Sequence, residues 1–359
     1  MNDNLNKFIR KHLLDLVPYE SARNIMNESQ PTDINLDANE NPYSISGDFS
    51  YMNRYPEPQP QKLILEYAAY NQDKINKDNI LVTRGADEGI EIIIKSFCEP
   101  QIDKVMTFPP TYGMYEVSSK LNNVEVIKIP LDKNFEINEE LLFKHNEVPK
   151  LIFICNPNNP TGNLISRKTI EKIISHFNDS LIVVDEAYID FNFKNTSVDL
   201  IKKYNNLIIL RTLSKAFSLA GVRCGFIISN LQMINFLKKV IAPYPIPQPV
   251  SQIALNALSN YKTNNYNQNL ILLEKNKKFI FESLASHDEI VCYQSDTNFI
   301  LFKSKNAKEI YKHMVANKII TRLIKHYSDY LRVTVGSEHE CKSFVHNMKI
   351  FLEKLKNEN

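Results

Sequence analysis

One lysine in this chain stands where it could act as a nucleophile. Lys215 lies in the run TLSKAFSLAGVRCGF (212–226), after the apolar stretch LIIL and between Ser214 and Arg223. A free lysine amine, with a pKa of about 10.4, is protonated and unreactive near neutrality; burial or nearby cations favour the neutral form. Ser214 and Arg223 offer a hydroxyl and a guanidinium suited to a phosphate. An aldehyde with a phosphate tail would therefore suit this segment, although alone it also reads as a surface lysine after a strand.

Other residues of matching chemistry follow apolar runs. Asp185 ends LIVVD, where its carboxylate would reach the C-terminal edge of a parallel sheet, the edge at which open α/β sheets bind ligands. A buried carboxylate there is costly unless it meets a cation such as a protonated pyridine nitrogen; the alternative is a cap for the next helix. Tyr188, three residues on, and Asn159 in NPNNPTG could each donate to a ring oxygen, while NPTG also reads as a plain turn. Gly85, Ala86 and Asp87 in VTRGADEGIEIII stand at a strand-to-helix junction, whose free amides suit a phosphate but recur in many α/β proteins. Tyr112 in PPTYGMY could stack on a flat ring or fill the core. Neither GxGxxG nor GxxxxGK[ST] occurs, which disfavours a dinucleotide or nucleoside triphosphate.

The elements that must position these residues alternate short apolar strands with amphipathic helices. Strands are expected at 80–83, 104–108, 124–129, 151–155, 181–184, 207–210 and 225–229, which predicts a mainly parallel seven-stranded sheet of α/β class, covered on both faces. Ile90, Ile93, Ile94 and Phe97 share one face of an intervening helix. APYPIPQP (242–249), with four prolines in eight residues, cannot continue a helix or central strand, so the crossover is placed there. A large domain over 31–242 and a smaller α+β domain over 243–359 follow. The latter is expected to hold a long helical pattern to about 287, strands at 298–302, 320–324 and 331–335, and a helix over 338–356. A second proline cluster, RYPEPQP (54–60), predicts a surface loop carrying Tyr55.

Bulk properties narrow the classes. The 359 residues carry 43 basic and 41 acidic side chains, so charge gives no argument for nucleic acid or an anionic membrane surface as partner. Five scattered cysteines show neither CxxC nor metal-ligand spacing, so no metal is expected and a reducing compartment is favoured. His326 and His339 likewise stand at no metal or triad spacing. The N-terminus lacks a signal-peptide core, and no apolar run approaches the roughly 20 residues of a membrane span. A soluble cytoplasmic protein is expected.

In order along the chain, Ala86 and Asp87, Tyr112, Asn159, Asp185, Tyr188, Ser214, Lys215 and Arg223 resemble the cofactor residues of fold type I pyridoxal phosphate enzymes, the aspartate aminotransferase-like superfamily. LDANENPY, RYPEPQP, RGADEGIE, PPTYGMY, NPNNPTG, VVDEAYIDF, RTLSKAFSLAGVRCGF, VIAPYP, TNFIL and LRVTVG resemble the histidinol-phosphate aminotransferase family of its class II branch over nearly the whole chain.

That resemblance implies pyridoxal 5'-phosphate held covalently by Lys215, with Asp185 at the ring nitrogen, Tyr188 and Asn159 at the ring oxygen, and Tyr112 on the ring face. Ser214, Arg223 and the Ala86 and Asp87 amides would hold the phosphate, with Tyr55 reaching the phosphate of a neighbouring subunit in a homodimer with shared sites. Residues 1–30 would form an arm over the site and dimer interface. Tyr19 and Asn39 would cover the substrate, and Arg322 and Arg332 would bind its anionic group. The implied reaction moves the amino group of L-histidinol phosphate to 2-oxoglutarate, giving imidazole acetol phosphate and L-glutamate in L-histidine biosynthesis. Rival readings are a broad aromatic aminotransferase and a phosphothreonine decarboxylase-like enzyme. A transcription regulator of the same fold would need a DNA-binding domain, for which the residues before Tyr19 leave no room.

Overall fold

Seven short runs of apolar residues build the large sheet: β1 (Ile80–Thr83), β2 (Lys104–Thr107), β3 (Glu125–Lys128), β4 (Leu151–Cys155), β5 (Leu181–Asp185), β6 (Leu207–Thr212) and β7 (Gly225–Ile228). A computed structural model describes residues 5–19, 36–43, 52–72, 74–262, 264–324 and 327–358, so His326 lies outside the described residues. The sheet order is β1-β7-β6-β5-β4-β2-β3. Strands β2 to β6 run parallel to their neighbours among themselves, and β7 lies antiparallel between β1 and β6.

Helices cover both faces: α1 (Gln61–Tyr70), α2 (Ala86–Phe97), α3 (Met114–Leu121), α4 (Glu139–Phe143), α5 (Arg167–His176), α6 (Leu231–Val240) and α7 (Gln248–Ser259). Successive strand residues point to opposite faces. Ile152 and Ile154 of β4 accordingly join the core that holds Leu63 of α1, Ile173 of α5 and Leu258 of α7. Leu151, Phe153 and Cys155 join the opposite core, with Ile93 of α2, Tyr115 of α3 and Leu237 of α6. Burial on both sides explains why β4 and β5 read as continuous apolar runs. Each such side chain contributes about 1.5–3 kcal/mol on burial, which makes the strand ends a rigid platform.

A second unit contains α8 (Asn264–Ala285), β8 (Val291–Cys292), β9 (Phe299–Lys303), α9 (Ala307–Ala316), β10 (Arg322–Leu323), β11 (Tyr330–Thr334) and α10 (Glu338–Glu358). Its antiparallel sheet has the order β10-β11-β9-β8 and its own core around Ile280, Phe302, Leu331 and Phe344. The two-residue β8 is too short to carry a periodic signal, and the single helical pattern expected to about 287 is broken between α7 and α8. Ala254 and Leu258 of α7 are buried in the large unit's core, so we propose that the small unit begins with α8 and not at 243.

Near the N-terminus, Phe8 and Ile9 are buried in the core beside α2 and α6. Lys7 Nζ lies 2.6 Å from Asp179 Oδ1, and Lys150 Nζ donates to the Lys7 carbonyl at 2.9 Å. Lys150 and Asp179 immediately precede β4 and β5, so this stretch docks at the sheet edge opposite Asp185. The expected 1–30 arm lies outside the described residues from 20 onward. Among the described residues, no helix is long and apolar enough to cross a membrane, and no cluster of His, Cys, Asp and Glu could hold a metal ion.

Candidate active site

The C-terminal edge of the parallel strands gathers the candidate residues. Asp185 ends β5 with 2% of its surface exposed. Tyr115 of α3 donates its hydroxyl to Asp185 Oδ2 at 2.7 Å, and the Ala187 N–H donates to Oδ1 at 3.1 Å. No lysine or arginine among the described residues forms an ion pair with it. Burial pushes its carboxyl up to about 6, against the opposing pull of the Tyr115 and Ala187 donors. A buried acid held by two donors but no cation fits a protonated ring nitrogen.

Lys215 follows the end of β6, and its Nζ stands 5.4 Å from the centre of the Tyr188 ring. Burial, helped by the positive charges of Arg332 and Arg223, holds its amine below the ordinary 10.5; Asp87 and Asp185 pull the other way. That balance brings the neutral, nucleophilic form closer to working pH. Tyr188 is buried, its ring edge-on to Phe299 of β9 with centroids 5.2 Å apart.

The start of α2 makes an anion-sized cradle. Gly85 caps the helix with φ 85° and no side-chain cap, leaving the first amides of the helix free for a ligand. A Cβ on Gly85 would meet Arg223 Nη2 at 2.7 Å, and one on Gly225 would meet the Gly85 carbonyl carbon at 2.5 Å. These approaches bring β7, Arg223 and the helix start together. Arg223, itself at φ 57°, reaches Ser214 Oγ at 3.4 Å and Asp87 Oδ2 at 3.3 Å. Tyr112 donates its hydroxyl to Asp87 Oδ1 at 2.9 Å. Asp87, Tyr112, Ser214 and Arg223 are thus joined by contacts at the start of α2, beside the Ala86 amide, and the donors gathered there suit a phosphate.

The small unit adds Arg332. Its Nη1 donates to Asn159 Oδ1, which leaves the Asn159 amide N–H groups for another acceptor, and its guanidinium lies 5.0 Å from the Phe299 ring centre. Arg332 Nε is buried without a hydrogen-bond partner among the described residues. Arg322 of β10 stands directly opposite Arg332 in the antiparallel pair. An orphaned buried donor beside a second cation fits an anionic substrate group.

Among the described residues, no hydrogen bond or ring contact joins three expected residues to this cluster. Tyr19 is 71% exposed, Asn39 is exposed with φ 54°, and Tyr55 is half-exposed and stacks on Tyr244 with centroids 4.5 Å apart. Conversely, two features escape sequence reading. Tyr115 shares the PPTYGMY segment with Tyr112 but reads as core at its helical position. Arg211, hidden in the apolar β6, is fully buried with Glu186 Oε2 at 2.7 Å, Asp190 Oδ1 at 3.3 Å and Thr196 Oγ1 at 2.7 Å. Its only sequence signal is a charge inside a strand that is otherwise apolar.

The donor set therefore fits a planar, phosphate-tailed pyridine aldehyde, with one residue type suited to each point of the ring. Comparison with known proteins bears on the family and the fold. Residues 24–348 match the model of the family described as aminotransferase class I and II. A histidinol-phosphate aminotransferase of Buchnera aphidicola subsp. Cinara cedri is 44% identical over 358 residues, covering 98% of this chain and 100% of that protein. The crystal structure of the histidinol-phosphate aminotransferase from Clostridium acetobutylicum has a TM-score of 0.77 at 26% identity, covering 84% of this chain and 92% of that one. That of Sinorhizobium meliloti, solved in complex with pyridoxal-5'-phosphate, shares the fold with a TM-score of 0.77 at 19% identity, covering 84% of each chain. The chain belongs to the aminotransferase class I and II family.

Proposed function

We propose that this chain is a cytoplasmic histidinol-phosphate aminotransferase, using pyridoxal 5'-phosphate to transfer the amino group of L-histidinol phosphate to 2-oxoglutarate. The products are imidazole acetol phosphate and L-glutamate, in L-histidine biosynthesis. The observation that carries this reading is the register pairing of Arg322 with Arg332, whose Nε is buried and orphaned among the described residues and whose charge acts on Lys215, in a chain similar to a relative of that name over 98% of its length.

When bound, pyridoxal phosphate supplies an aldehyde carbon for an amine and a ring that withdraws electrons from the adjoining carbon. Lys215 Nζ would be the amine that holds the aldehyde carbon and, when freed, the base that moves a proton at the amine-bearing carbon of the substrate. Asp185 would keep the ring nitrogen protonated. Tyr188 and Asn159 would donate to the ring oxygen, Tyr112 would cover the ring face, and Ser214, Arg223 and the Ala86 and Asp87 amides would hold the phosphate. Arg332 and Arg322 receive in turn the phosphate of histidinol phosphate and a carboxylate of 2-oxoglutarate, since a guanidinium fork suits either anion. Tyr19 and Asn39, exposed and without a contact to this cluster among the described residues of the single chain, would cover the substrate on this reading. Tyr55, half-exposed and steadied by Glu40 Oε1 accepting from its N–H at 2.7 Å, reaches the phosphate of a second subunit in a homodimer.

The test is a half-reaction panel with histidinol phosphate, phenylalanine, aspartate and phosphothreonine, followed through cofactor absorbance. Histidinol phosphate should convert the cofactor far faster than the others. Equal efficiency with phenylalanine would contradict the narrow substrate assignment, and carbon dioxide release from phosphothreonine without a keto product would contradict transamination.

A further inference from the structure

We propose that Tyr115 is a positioning residue for the reaction, its phenol holding Asp185 ionised and aimed at the ring nitrogen of the cofactor. The proposal rests on the function proposed above and adds to it a side chain that touches neither substrate nor cofactor. Three observations carry it.

The first is the contact. The Tyr115 hydroxyl donates to Asp185 Oδ2 at 2.7 Å, with Tyr115 fully buried and Asp185 nearly so. In a dry site, a hydrogen bond to the charged form of an acid favours that form. Burial pulls the other way, and the remaining donor is the Ala187 N–H on Oδ1. The titratable groups facing Asp185 bring no compensating charge of comparable closeness. Cys155 of β4 is a thiol pushed up to about 12 by burial, Asp87 of α2 and Glu186 disfavour the carboxylate, and Lys215 is itself partly desolvated. Tyr188 and Tyr112 are phenols whose buried environment keeps them neutral.

The second is rigidity. The Tyr115 ring is stacked on Phe153 of β4 with centroids 4.7 Å apart and planes 9° from parallel, which fixes the phenol oxygen beside Asp185, with the Cys155 thiol as its other neighbour. Phe153 and Asp185 lie on adjacent paired strands, which ties donor and acceptor to the same rigid sheet.

The third is that the same ring also meets Tyr112 edge-on, with centroids 5.6 Å apart. Tyr112 is the residue assigned to the ring face, so one buried side chain braces both the stacking group and the nitrogen's partner.

The experiment follows the Asp185 carboxyl by carbon-13 NMR in aspartate-labelled, cofactor-free protein, with the signal assigned by its loss in Asp185→Asn. Tyr115→Phe should move the midpoint of that signal up by about one pH unit, the size expected for one lost hydrogen bond to a charged group. In the loaded enzyme the same variant should lower kcat about tenfold and leave the KM for histidinol phosphate within about twofold, because Tyr115 acts through Asp185 and not on the substrate. An unmoved midpoint in a folded Tyr115→Phe protein would overturn the proposal. Should that variant not fold, a fluorotyrosine at 115, a stronger donor, should move the midpoint down, and no movement would overturn it equally. The carboxyl titration needs neither cofactor nor amine, so a failed half-reaction with histidinol phosphate would sink the substrate assignment without touching this result.

Discussion

Arg322 and Arg332 face each other across β10 and β11 as directly paired residues of an antiparallel ladder. Directly opposite side chains lie on the same face, and like charges there repel unless an anion sits between them. Arg332 feels this, since burial and the charge of Arg322 both work against its protonated form. On the proposed function, the pair serves as a receptor for an anion. Arg332→Ala should raise KM for both substrates by about 10–100-fold, the loss of a hydrogen bond to a charged group. Arg322→Ala should act on histidinol phosphate more than on 2-oxoglutarate. Steady-state kinetics with each substrate varied in turn checks both.

Asp185 is kept ready for a cation at a cost to the empty protein. Its carboxyl is raised from 3.8 to about 6. The folded state therefore binds this proton more tightly than the unfolded state, so the contribution of Asp185 to stability is fully present below pH 3.8 and is lost as pH rises through about 6. The penalty above that window is roughly 3 kcal/mol. Cofactor-free Asp185→Asn should accordingly be more stable than wild type at pH 7 to 8, by up to about that amount. The gain should vanish near pH 4 in denaturant titrations, and activity should be lost at every pH.

Gly85→Ala tests the cradle. The residue sits at φ 85°, where side chains are strained, and the new Cβ would meet Arg223 Nη2 at 2.7 Å. The backbone cost alone is about 1–3 kcal/mol, since φ 85° with ψ 171° is a region that only glycine adopts readily, and the displaced guanidinium loses its aim at the phosphate. Cofactor titration should show weaker binding by at least tenfold, while the fold, read by circular dichroism, is retained.

Arg211→Met should be the most destabilising of these changes. It strands Glu186 and Asp190, both buried, without their cation, a loss of about 3–5 kcal/mol in thermal or denaturant unfolding. Adding Glu186→Gln should recover part of the loss, since the two residues belong to one network.

The large sheet was legible because its strands are buried on both faces and so read as unbroken apolar runs between turn signals. The residues clustered at their ends were legible for the same reason: a charged or hydroxylated residue directly after such a run, as with Asp185, Lys215 and Ser214, has few other places to go. Tyr115 and Arg211 were not, because a tyrosine on a helix face looks like core and a buried arginine is recognised only through partners such as Glu186 that lie 25 residues away. The placement of α7 was equally hidden. Its prolines announce a break in the helix, but which core receives Ala254 and Leu258 depends on α1, nearly 200 residues earlier in the chain.

Whether Lys215 is the covalent anchor of the cofactor is tested most directly by borohydride reduction of the pyridoxal phosphate-loaded protein followed by peptide mass spectrometry. A yellow protein is expected whose absorption is bleached on reduction, with one phosphopyridoxyl group on the peptide containing Lys215 and none in Lys215→Ala. A colourless loaded wild type, or a label on any other lysine with Lys215 unmodified, would contradict that role.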